Sequence, residues 1–451
     1  MTRRPAVLLF GGLSVVARHA GVIEEARARD LEVLLISSGG DAEERRFRAR
    51  RAVPGHPFGL VDGWAFLAKP RPDHVLSVVG GCFGGHHIVA ALSCGEVFVE
   101  PCGVVADLLG LAGPGLRASR VCRNKQLQRA YLADWSPRSA YVAPEARSRA
   151  ARLAPGFPCV LKPVGRMSSS GVRRADDPVQ LGALVAAAPP GEGLLVEELV
   201  DGAEFSVEAL VRDGGVVWEN VTAKLTNEAG GVFFTELGHV VPAAGLGDRD
   251  RSALVSASRA VLAALEFRDG ISHAEFRLRS GERPVLMEIA ARVPGDGITV
   301  LLELATGTSL EPVLLDIALG RPVAYAEPRR RAVHRYLPLE EGVLEEVEAA
   351  PGVEAAWIAH SDRWPVPRPV AAGAPARTAA VLVTQPRGAR LGRLCDSDAR
   401  AVSVMVDLPL GEPVEPAVSE QAAQVRVRLG TGSDGRDPAS AASAPGPRVL
   451  T

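Results

Sequence analysis

Two neighbouring segments in the second half of the chain place a pair of glutamates where they could bind a metal ion. Residues 271–278 and 285–289 alternate apolar and polar side chains around a short polar stretch at 280–283, which predicts a β-hairpin. A hairpin centred on that stretch puts Glu275 directly opposite Glu288. Facing carboxylates repel each other unless a divalent cation lies between them, and oxygen ligands suit Mg²⁺. The pair therefore predicts a magnesium site, with two surface glutamates on a solvated hairpin as the alternative.

Two cationic residues stand where anionic oxygens could be held. Arg292 follows Glu288 by four residues and could bind such oxygens next to the metal. Lys162 lies in an apolar strand at 157–163, and a loop of small residues follows at 165–172. Backbone N–H groups and hydroxyls of such a loop can wrap phosphate oxygens, although no Walker A sequence is present. The alternative is a flexible surface loop.

A third segment could bind a nucleoside. Residues 194–208 are typical of a strand, a tight turn and a second strand. Backbone groups at the end of the first strand are free to hydrogen-bond a flat heterocycle, and Glu204 could accept hydrogen bonds from two ribose hydroxyls. A plain hairpin with acidic edge residues is the alternative.

Composition narrows the class of protein. The chain has 451 residues, enough for about three domains, with 47% apolar and 23% charged residues, which indicates a globular protein. The net charge of −2 gives no field for attracting nucleic acid or an acidic membrane, so we expect neither as a partner. Arginine strongly outnumbers lysine, and the only lysines are Lys69, Lys125, Lys162 and Lys224. Because lysine is so rare in this chain, each lysine is a candidate for a site that needs the compact charge of an ammonium group.

The cysteines and the apolar runs indicate the cellular compartment in which the protein is expected. None of the six cysteines has metal-binding spacing, which favours reduced thiols in a cytoplasmic protein. No apolar run approaches the roughly 20 residues of a membrane span. A signal peptide at the amino terminus is the weaker interpretation, because the apolar run at 6–10 is broken by glycines and followed by a second apolar strand at 31–37.

The order of apolar segments predicts the architecture. Short runs at 6–10, 31–37 and 75–79, separated by helical or loop segments, indicate a parallel sheet with crossover helices. Helices are predicted at 119–135, 251–265 and 301–319. Residues 157–210 predict strand, loop, strand, helix, strand, turn, strand, and a separate α+β unit is expected after Pro322. The tail from Gly430 has the composition of a disordered segment.

These features occur in the order and at the spacing found in the ATP-grasp superfamily, which the chain resembles over about residues 105–320. It is most similar to the L-amino-acid ligase branch, whose members make dipeptides and related amides in bacterial peptide-antibiotic pathways. The resemblance implies an ATP-grasp fold with an amino-terminal Rossmann-like domain and a carboxy-terminal α+β domain. The expected boundaries are 1–116 for the amino-terminal domain, 117–190 for the lid, 191–324 for the core, 325–428 for the carboxy-terminal domain and 429–451 for the tail.

The resemblance also implies roles for individual residues. Lys125 and Lys162 match the two lysines that bind ATP phosphates, and the loop that covers the phosphates matches Ser168, Ser169, Ser170, Gly171 and Val172. Glu197, Glu198 and Val200 match the hinge that contacts adenine, and Glu204 matches the ribose carboxylate. Lys224 and His239 lie where this branch has a lysine and a phosphate-facing histidine. Glu275 and Glu288 match the metal ligands, and Arg292 matches the arginine beside the transferred phosphoryl group.

The implied activity is an ATP-dependent carboxylate–amine ligase that forms an acyl phosphate and releases ADP and phosphate, as in peptide natural-product biosynthesis. Its cofactors would be ATP and Mg²⁺, with Mn²⁺ as an alternative, and its substrates a small amino acid and an amine. Arg292, Lys162 and His239 are the expected catalytic residues, and a homodimer is a further expectation from relatives.

Other activities remain open from sequence alone. The chain could be an ATP-grasp carboxylase or a purine-pathway type of ligase. A nucleotide-binding regulator without turnover is also possible, because Ala290 stands where many relatives have an asparagine that binds the metal. An NAD-dependent oxidoreductase is disfavoured, since the Gly11-Gly12 turn lacks the dinucleotide fingerprint.

Overall fold

The computed structural model describes residues 4–227, 234–349, 352–394 and 396–430. Cys395 and most of the predicted tail lie outside these residues. The predicted start of the tail is too early, because Arg426–Gly430 forms a strand. The described residues contain four sheets, of four, nine, three and four strands.

The amino-terminal part is a parallel sheet with helices on its faces. Its strand order is β3-β2-β1-β4, as expected from crossover connections. The strands are β1 Pro5–Phe10, β2 Glu32–Ser38, β3 Gly63–Leu67 and β4 His87–Ser93. The helices are α1 Leu13–Arg18, α2 Ala20–Ala28, α3 Gly40–Arg51, α4 Pro72–Cys82 and α5 Val99–Leu108.

The predicted strand at 75–79 is wrong, because this run lies inside α4. Pro72 occupies the first turn of that helix, where its missing N–H costs nothing. Val75 and Val79, four residues apart, are the buried side chains. An apolar run of five residues is too short to show the spacing of apolar side chains that distinguishes a buried strand from a helix.

The lid is an antiparallel sheet of order β5-β8-β6-β7. Its strands are β5 Ser139–Val142, β6 Cys159–Pro163, β7 Arg173–Ala175 and β8 Leu194–Glu198. The helices of this region are α6 Leu116–Cys122, α7 Lys125–Tyr131, α8 Ala150–Leu153 and α9 Pro178–Ala187. The single helix predicted at 119–135 is therefore two, since the Asn124 side chain caps α7 by accepting hydrogen bonds from the backbone of Gln126 and Leu127.

A nine-stranded sheet forms the centre, in the order β13-β12-β9-β10-β11-β14-β19-β17-β16. Its strands are β9 Ala203–Arg212, β10 Gly215–Thr226, β11 Glu236–Val241, β12 Gly270–Leu278, β13 Val285–Ala290, β14 Arg330–Tyr336, β16 Ala355–Trp357, β17 Arg377–Val383 and β19 Val402–Pro409. The small sheet contains β15 Gly342–Glu348, β18 Arg390–Leu391 and β20 Arg426–Gly430. The helices are α10 Asp248–Ala264, α11 Ile298–Thr306, α12 Glu311–Ala318, α13 Ile358–Ser361 and α14 Val414–Ala422.

The central sheet differs from the sequence prediction in two ways. The carboxy-terminal region is joined to the core, because β14 pairs with β11 and the sheet continues to β16. The helix predicted at 301–319 is broken after Thr306, where Gly307 has a positive φ and the axes of α11 and α12 meet at 109°. Among the described residues, no single helix has the length and apolarity of a membrane span, and this bent pair meets those limits only when its two helices are combined.

Arg330 is a buried cation at the start of β14. The sequence predicts that the three arginines at 329–331 form a linker that either is solvated or pairs with carboxylates. In the structure, Arg330 pairs with a carboxylate. Its guanidinium binds the buried Asp407 carboxylate and donates to the carbonyls of Ala371, Ala372 and Ala374. This contact therefore links β14 to β19 and to the segment that precedes β17.

We expect Arg330→Ala to lower the free energy of unfolding by about 3 kcal/mol, because it leaves the Asp407 carboxylate buried with only Arg377 beside it. Chemical denaturation measures the change. Arg428→Ala is the control, since Arg428 pairs with Glu345 on the surface. Equal stability of the two variants would contradict this interpretation.

Candidate active site

The predicted glutamate pair meets across the β12–β13 hairpin. Glu275 is the register partner of Glu288, so this part of the prediction is confirmed. Between Glu275 and the turn, the pairing of the two strands differs from the prediction. The register shifts by one residue after Glu275, so that Phe276 faces Leu286. The extra residue, Met287, forms a β-bulge that absorbs the shift while the glutamates stay opposite each other.

Each of these two glutamates is bound by a lysine that the sequence also singles out. Lys125 Nζ lies 2.9 Å from Glu288 Oε1, and Lys224 Nζ lies 2.9 Å from Glu275 Oε1. Lys224 is also 2.8 Å from Glu204 and 2.7 Å from Glu236. Burial by itself would lower the pKa of Lys224, but these carboxylates raise it well above its ordinary value. Lys224 is therefore a fixed cation among several acids.

Glu197 orients the lid lysine. Its buried carboxylate accepts from Arg129 Nε at 2.6 Å and lies 2.8 Å from Lys162 Nζ. Burial raises the pKa of Glu197, yet the charges of Arg129 and Lys162 outweigh burial and lower this pKa to about 2. The sequence interpretation assigned Glu197 only to the adenine hinge and missed this contact between its side chain and the phosphate lysine.

Most of the predicted nucleotide-binding residues line one cavity between the lid and the core. We call this the nucleotide cavity. Its predicted members are Lys125, Lys162, Ser169, Ser170, Val172, Glu197, Glu198, Val200, Glu204, Lys224, Glu275 and Glu288. Further wall residues that the sequence did not identify include Phe234, Glu236, Arg277 and Met287.

The predicted ribose carboxylate, Glu204, is bound to two cations. Lys224 is one of them, and Arg277 Nη2 donates to Glu204 Oε2 at 2.9 Å. Arg277 also donates to the carbonyl of Val200 at 3.0 Å. The arginine therefore connects the hinge to the sheet. The only sequence signal for Arg277 was its polar position in the alternating pattern of the strand at 271–278.

The loop at 165–172 has a strained backbone. Ser168 and Ser169 have φ values of 57° and 54°, in a region that residues other than glycine rarely adopt. Gly171 has φ 75°, and a Cβ there would lie 2.9 Å from a ring carbon of Pro163. Ser168 accepts a hydrogen bond through its carbonyl from the backbone N–H of Ser397 at 3.4 Å, so the loop contacts the carboxy-terminal region. Strained loops of this kind are common at ligand clamps.

Arg292 lines a second cavity, of about 330 Å³, that adjoins the first. Its Nε donates to Glu96 Oε2 at 2.6 Å. Met167 contributes to the walls of both cavities, and Ser168 contributes to the second. The structure therefore puts Arg292 beside the nucleotide cavity rather than inside it. We call this space the second cavity.

The buried His239 lies beside two half-buried acids, Glu236 and Asp296, and one ligand atom from each residue lies within 4.8 Å of the others. Burial lowers the pKa of His239 to about 3, so the imidazole is neutral at physiological pH. Burial and the Asp296 carboxylate raise the pKa of Glu236 to about 8, against the charge of Lys224. His239 is on the wall of neither cavity in the described part of the chain, and its catalytic role stays a prediction.

Comparison with known proteins agrees with this arrangement. Residues 155–300 match the family model described as an ATP-grasp domain. The crystal structure of an L-amino acid ligase from Bacillus licheniformis superposes with a TM-score of 0.72 and 21% identity, covering 95% of this chain and 100% of that one. This chain therefore has the ATP-grasp fold, with a Rossmann-like amino-terminal domain, and the predicted resemblance to the ATP-grasp superfamily is confirmed.

Two curated relatives match part of the chain. A D-alanine–D-alanine ligase from Xanthomonas axonopodis pv. citri is 34% identical over 200 residues, which are 43% of this chain and 59% of that protein. A carbamoyl phosphate synthase large chain from Vibrio cholerae serotype O1 is 26% identical over 281 residues, 58% of this chain and 25% of that protein. The chain thus spans less than two thirds of the length of each of these two curated relatives.

The low pKa of Glu197 predicts a pH dependence of stability. A carboxyl whose pKa is about 2 when folded and 4.5 ordinarily stabilises the protein above pH 4.5 by roughly 3 kcal/mol, and this contribution is lost as the pH falls towards 2. Glu197→Gln removes the titration, so we expect its unfolding free energy to decline less steeply with acid. Urea denaturation between pH 5 and 3 measures the slope.

Glu198→Gln is the matched control, because Glu198 pairs with the exposed Arg138. A wild-type slope in Glu197→Gln would refute the assignment.

Proposed function

We propose that this protein is an ATP-dependent carboxylate–amine ligase that joins an amino acid to an amine through an acyl phosphate. The observation that carries the proposal is the pair of Lys–Glu contacts, Lys125 with Glu288 and Lys224 with Glu275, in a cavity between lid and core. The similarity to an L-amino acid ligase supports this substrate class and, with it, a setting in peptide natural-product biosynthesis.

The donor set fits Mg²⁺ and a triphosphate. Glu275 and Glu288 offer oxygen ligands, and Lys125 and Lys224 now neutralise those oxygens. When Mg·ATP binds, the carboxylates can exchange their lysine partners for the metal, and Lys125 and Lys162 can turn to phosphate oxygens. Opposite charges are thus kept together before and after binding, so neither state leaves a buried ion unpaired. Nothing in this set of ligand atoms favours Mn²⁺ over Mg²⁺.

The first half-reaction would depend on positioning. Mg²⁺, held by Glu275 and Glu288, would neutralise the charge that develops on the phosphates. Lys162, oriented by Glu197, and Lys125 hold phosphate oxygens, and the hinge at Glu198 and Val200 holds the base. Arg292 orients the acceptor carboxylate in the second cavity. One carboxylate oxygen bonds to the γ-phosphorus as the bond to the ADP oxygen breaks, which yields ADP and an acyl phosphate.

In the second half-reaction the amine nitrogen bonds to the acyl carbon, the carbon–oxygen bond to phosphate breaks, and the amine loses a proton. Arg292 stabilises the oxyanion and the departing phosphate, since a guanidinium binds both kinds of oxygen. The loop at 165–172, which contacts Ser397, separates the reacting groups from bulk water.

A nucleotide-binding regulator is the second candidate. Ala290, a buried residue, stands where an asparagine would complete the metal ligands, and this is the observation that favours it. An ATP-grasp carboxylase is a third, since biotin carboxylases share the fold at 12–15% identity. Bicarbonate-dependent phosphate release distinguishes the carboxylase from the ligase.

We expect Glu288→Gln and Arg292→Ala to reduce phosphate release by at least about a hundredfold, because the first removes a proposed metal ligand and the second removes the cation proposed to orient the acceptor carboxylate. Phosphate release is screened over pairs of amino acids and amines, and mass spectrometry identifies the amide product. Glu282→Gln is the control, since Glu282 is exposed in the turn of the same hairpin.

Circular dichroism shows whether each variant is folded. Wild-type turnover in both folded variants would remove the ligase proposal. Tight ATP binding with no release for any pair would favour the regulator.

A further inference from the structure

The second cavity contains three arginines, and two of them are neutralised. Arg292 binds Glu96, and Arg400 binds Asp296 through two hydrogen bonds of 2.8 Å each. A bidentate arginine–carboxylate pair is a strong and geometrically fixed contact. Neither arginine is therefore an unpaired positive charge in the wall of the cavity.

Arg18, at the end of α1, is different. In the described part of the chain no carboxylate lies within ion-pair distance of its guanidinium, and its Nε is buried without a hydrogen-bond partner. The guanidinium carbon lies 4.4 Å from the centre of the Trp364 ring. This stacking fixes the orientation of Arg18 but does not neutralise its charge.

Two further hydrogen-bond donors of the same cavity lack an acceptor. Trp364 Nε1 and Ser397 Oγ are both buried and without a partner, and Ser397 is only 8% exposed. Of the acidic residues in the wall, Glu96 and Asp296 are held by arginines, and Asp398 is exposed. A buried donor without an acceptor is costly, so an acceptor that reached either atom would be stabilising.

We propose that Arg18, with Trp364 and Ser397, binds a second, non-reacting carboxylate of a substrate. The inference rests on the proposed ligase function, in which Arg292 holds the reacting carboxylate. The geometry defines a carboxylate-selective subsite built from the amino-terminal domain and the carboxy-terminal region. Its ligand group belongs either to a dicarboxylic acceptor or to an amine substrate that is itself an amino acid, and the chemistry of recognition is the same.

Calorimetric titration with two matched pairs of probes tests this subsite. L-Glutamate and L-glutamine differ by a side-chain carboxylate, and L-alanine and ethylamine differ by an α-carboxylate. We expect the wild type to prefer the carboxylated member of at least one pair, and Arg18→Gln to weaken that binding by about tenfold to a hundredfold, as for a lost charged hydrogen bond. Preference within the first pair indicates a dicarboxylic acceptor, and preference confined to the second pair indicates an amino acid as the amine.

Two variants separate recognition from packing. Arg18→Lys keeps the charge and is expected to retain part of the preference. Arg51→Gln is the control, because Arg51 lies 5.1 Å from the Trp64 ring centre, a similar stacking contact outside the cavity. Its binding of every probe should equal that of the wild type.

The inference is overturned if the wild type shows no preference within either pair, or if Arg18→Gln binds the carboxylated probes as well as the wild type does. Phosphate release measured in parallel tests the ligase proposal separately. Carboxylate binding that is lost in Arg18→Gln, without release in any variant, would remove the ligase and leave the subsite.

Discussion

The candidate active site depends on one constraint, which is that its buried charges meet opposite charges. An unpaired ion in the interior costs several kcal/mol, and a paired one is tolerated when its geometry is good. Lys224 is surrounded by Glu204, Glu236 and Glu275, and Glu197 lies between Arg129 and Lys162. Such a network keeps the Lys224 ammonium and the Glu197 carboxylate ionised, because it raises the pKa of Lys224 and lowers that of Glu197.

The same constraint distinguishes the two cavities. In the nucleotide cavity, the carboxylates and cations bind one another. In the second cavity, Arg292 and Arg400 have their own carboxylates and Arg18 has none. Met167 belongs to both walls, so the two cavities are neighbours. This adjacency fits the proposed transfer from ATP to an acceptor carboxylate.

The likeness to solved ATP-grasp structures extends over nearly the whole chain at low identity, so the fold is shared more widely than the residues. One central sheet carries both the metal hairpin and the strands of the carboxy-terminal region. Residues as distant in sequence as Arg18, Arg292 and Trp364 therefore meet at one cavity. Substrate choice on a common fold is decided by such side chains rather than by the scaffold.

Local pattern was enough to predict the facing pair of Glu275 and Glu288, the order of elements from 157 to 210 and Lys162 of the nucleotide cavity, because alternation and turn residues act over a few positions. Lys125 and Lys224 were predicted from the family resemblance. Packing alone decided that 75–79 is helical and that the carboxy-terminal strands join the core sheet. It also decided that Glu197 binds Lys162 and that Arg292 binds Glu96, since neither contact leaves a local signal. Contacts between residues far apart in the chain form only when the sheets and helices have assembled. The charged groups have by then lost their water, so the nearest opposite charge decides the pairing.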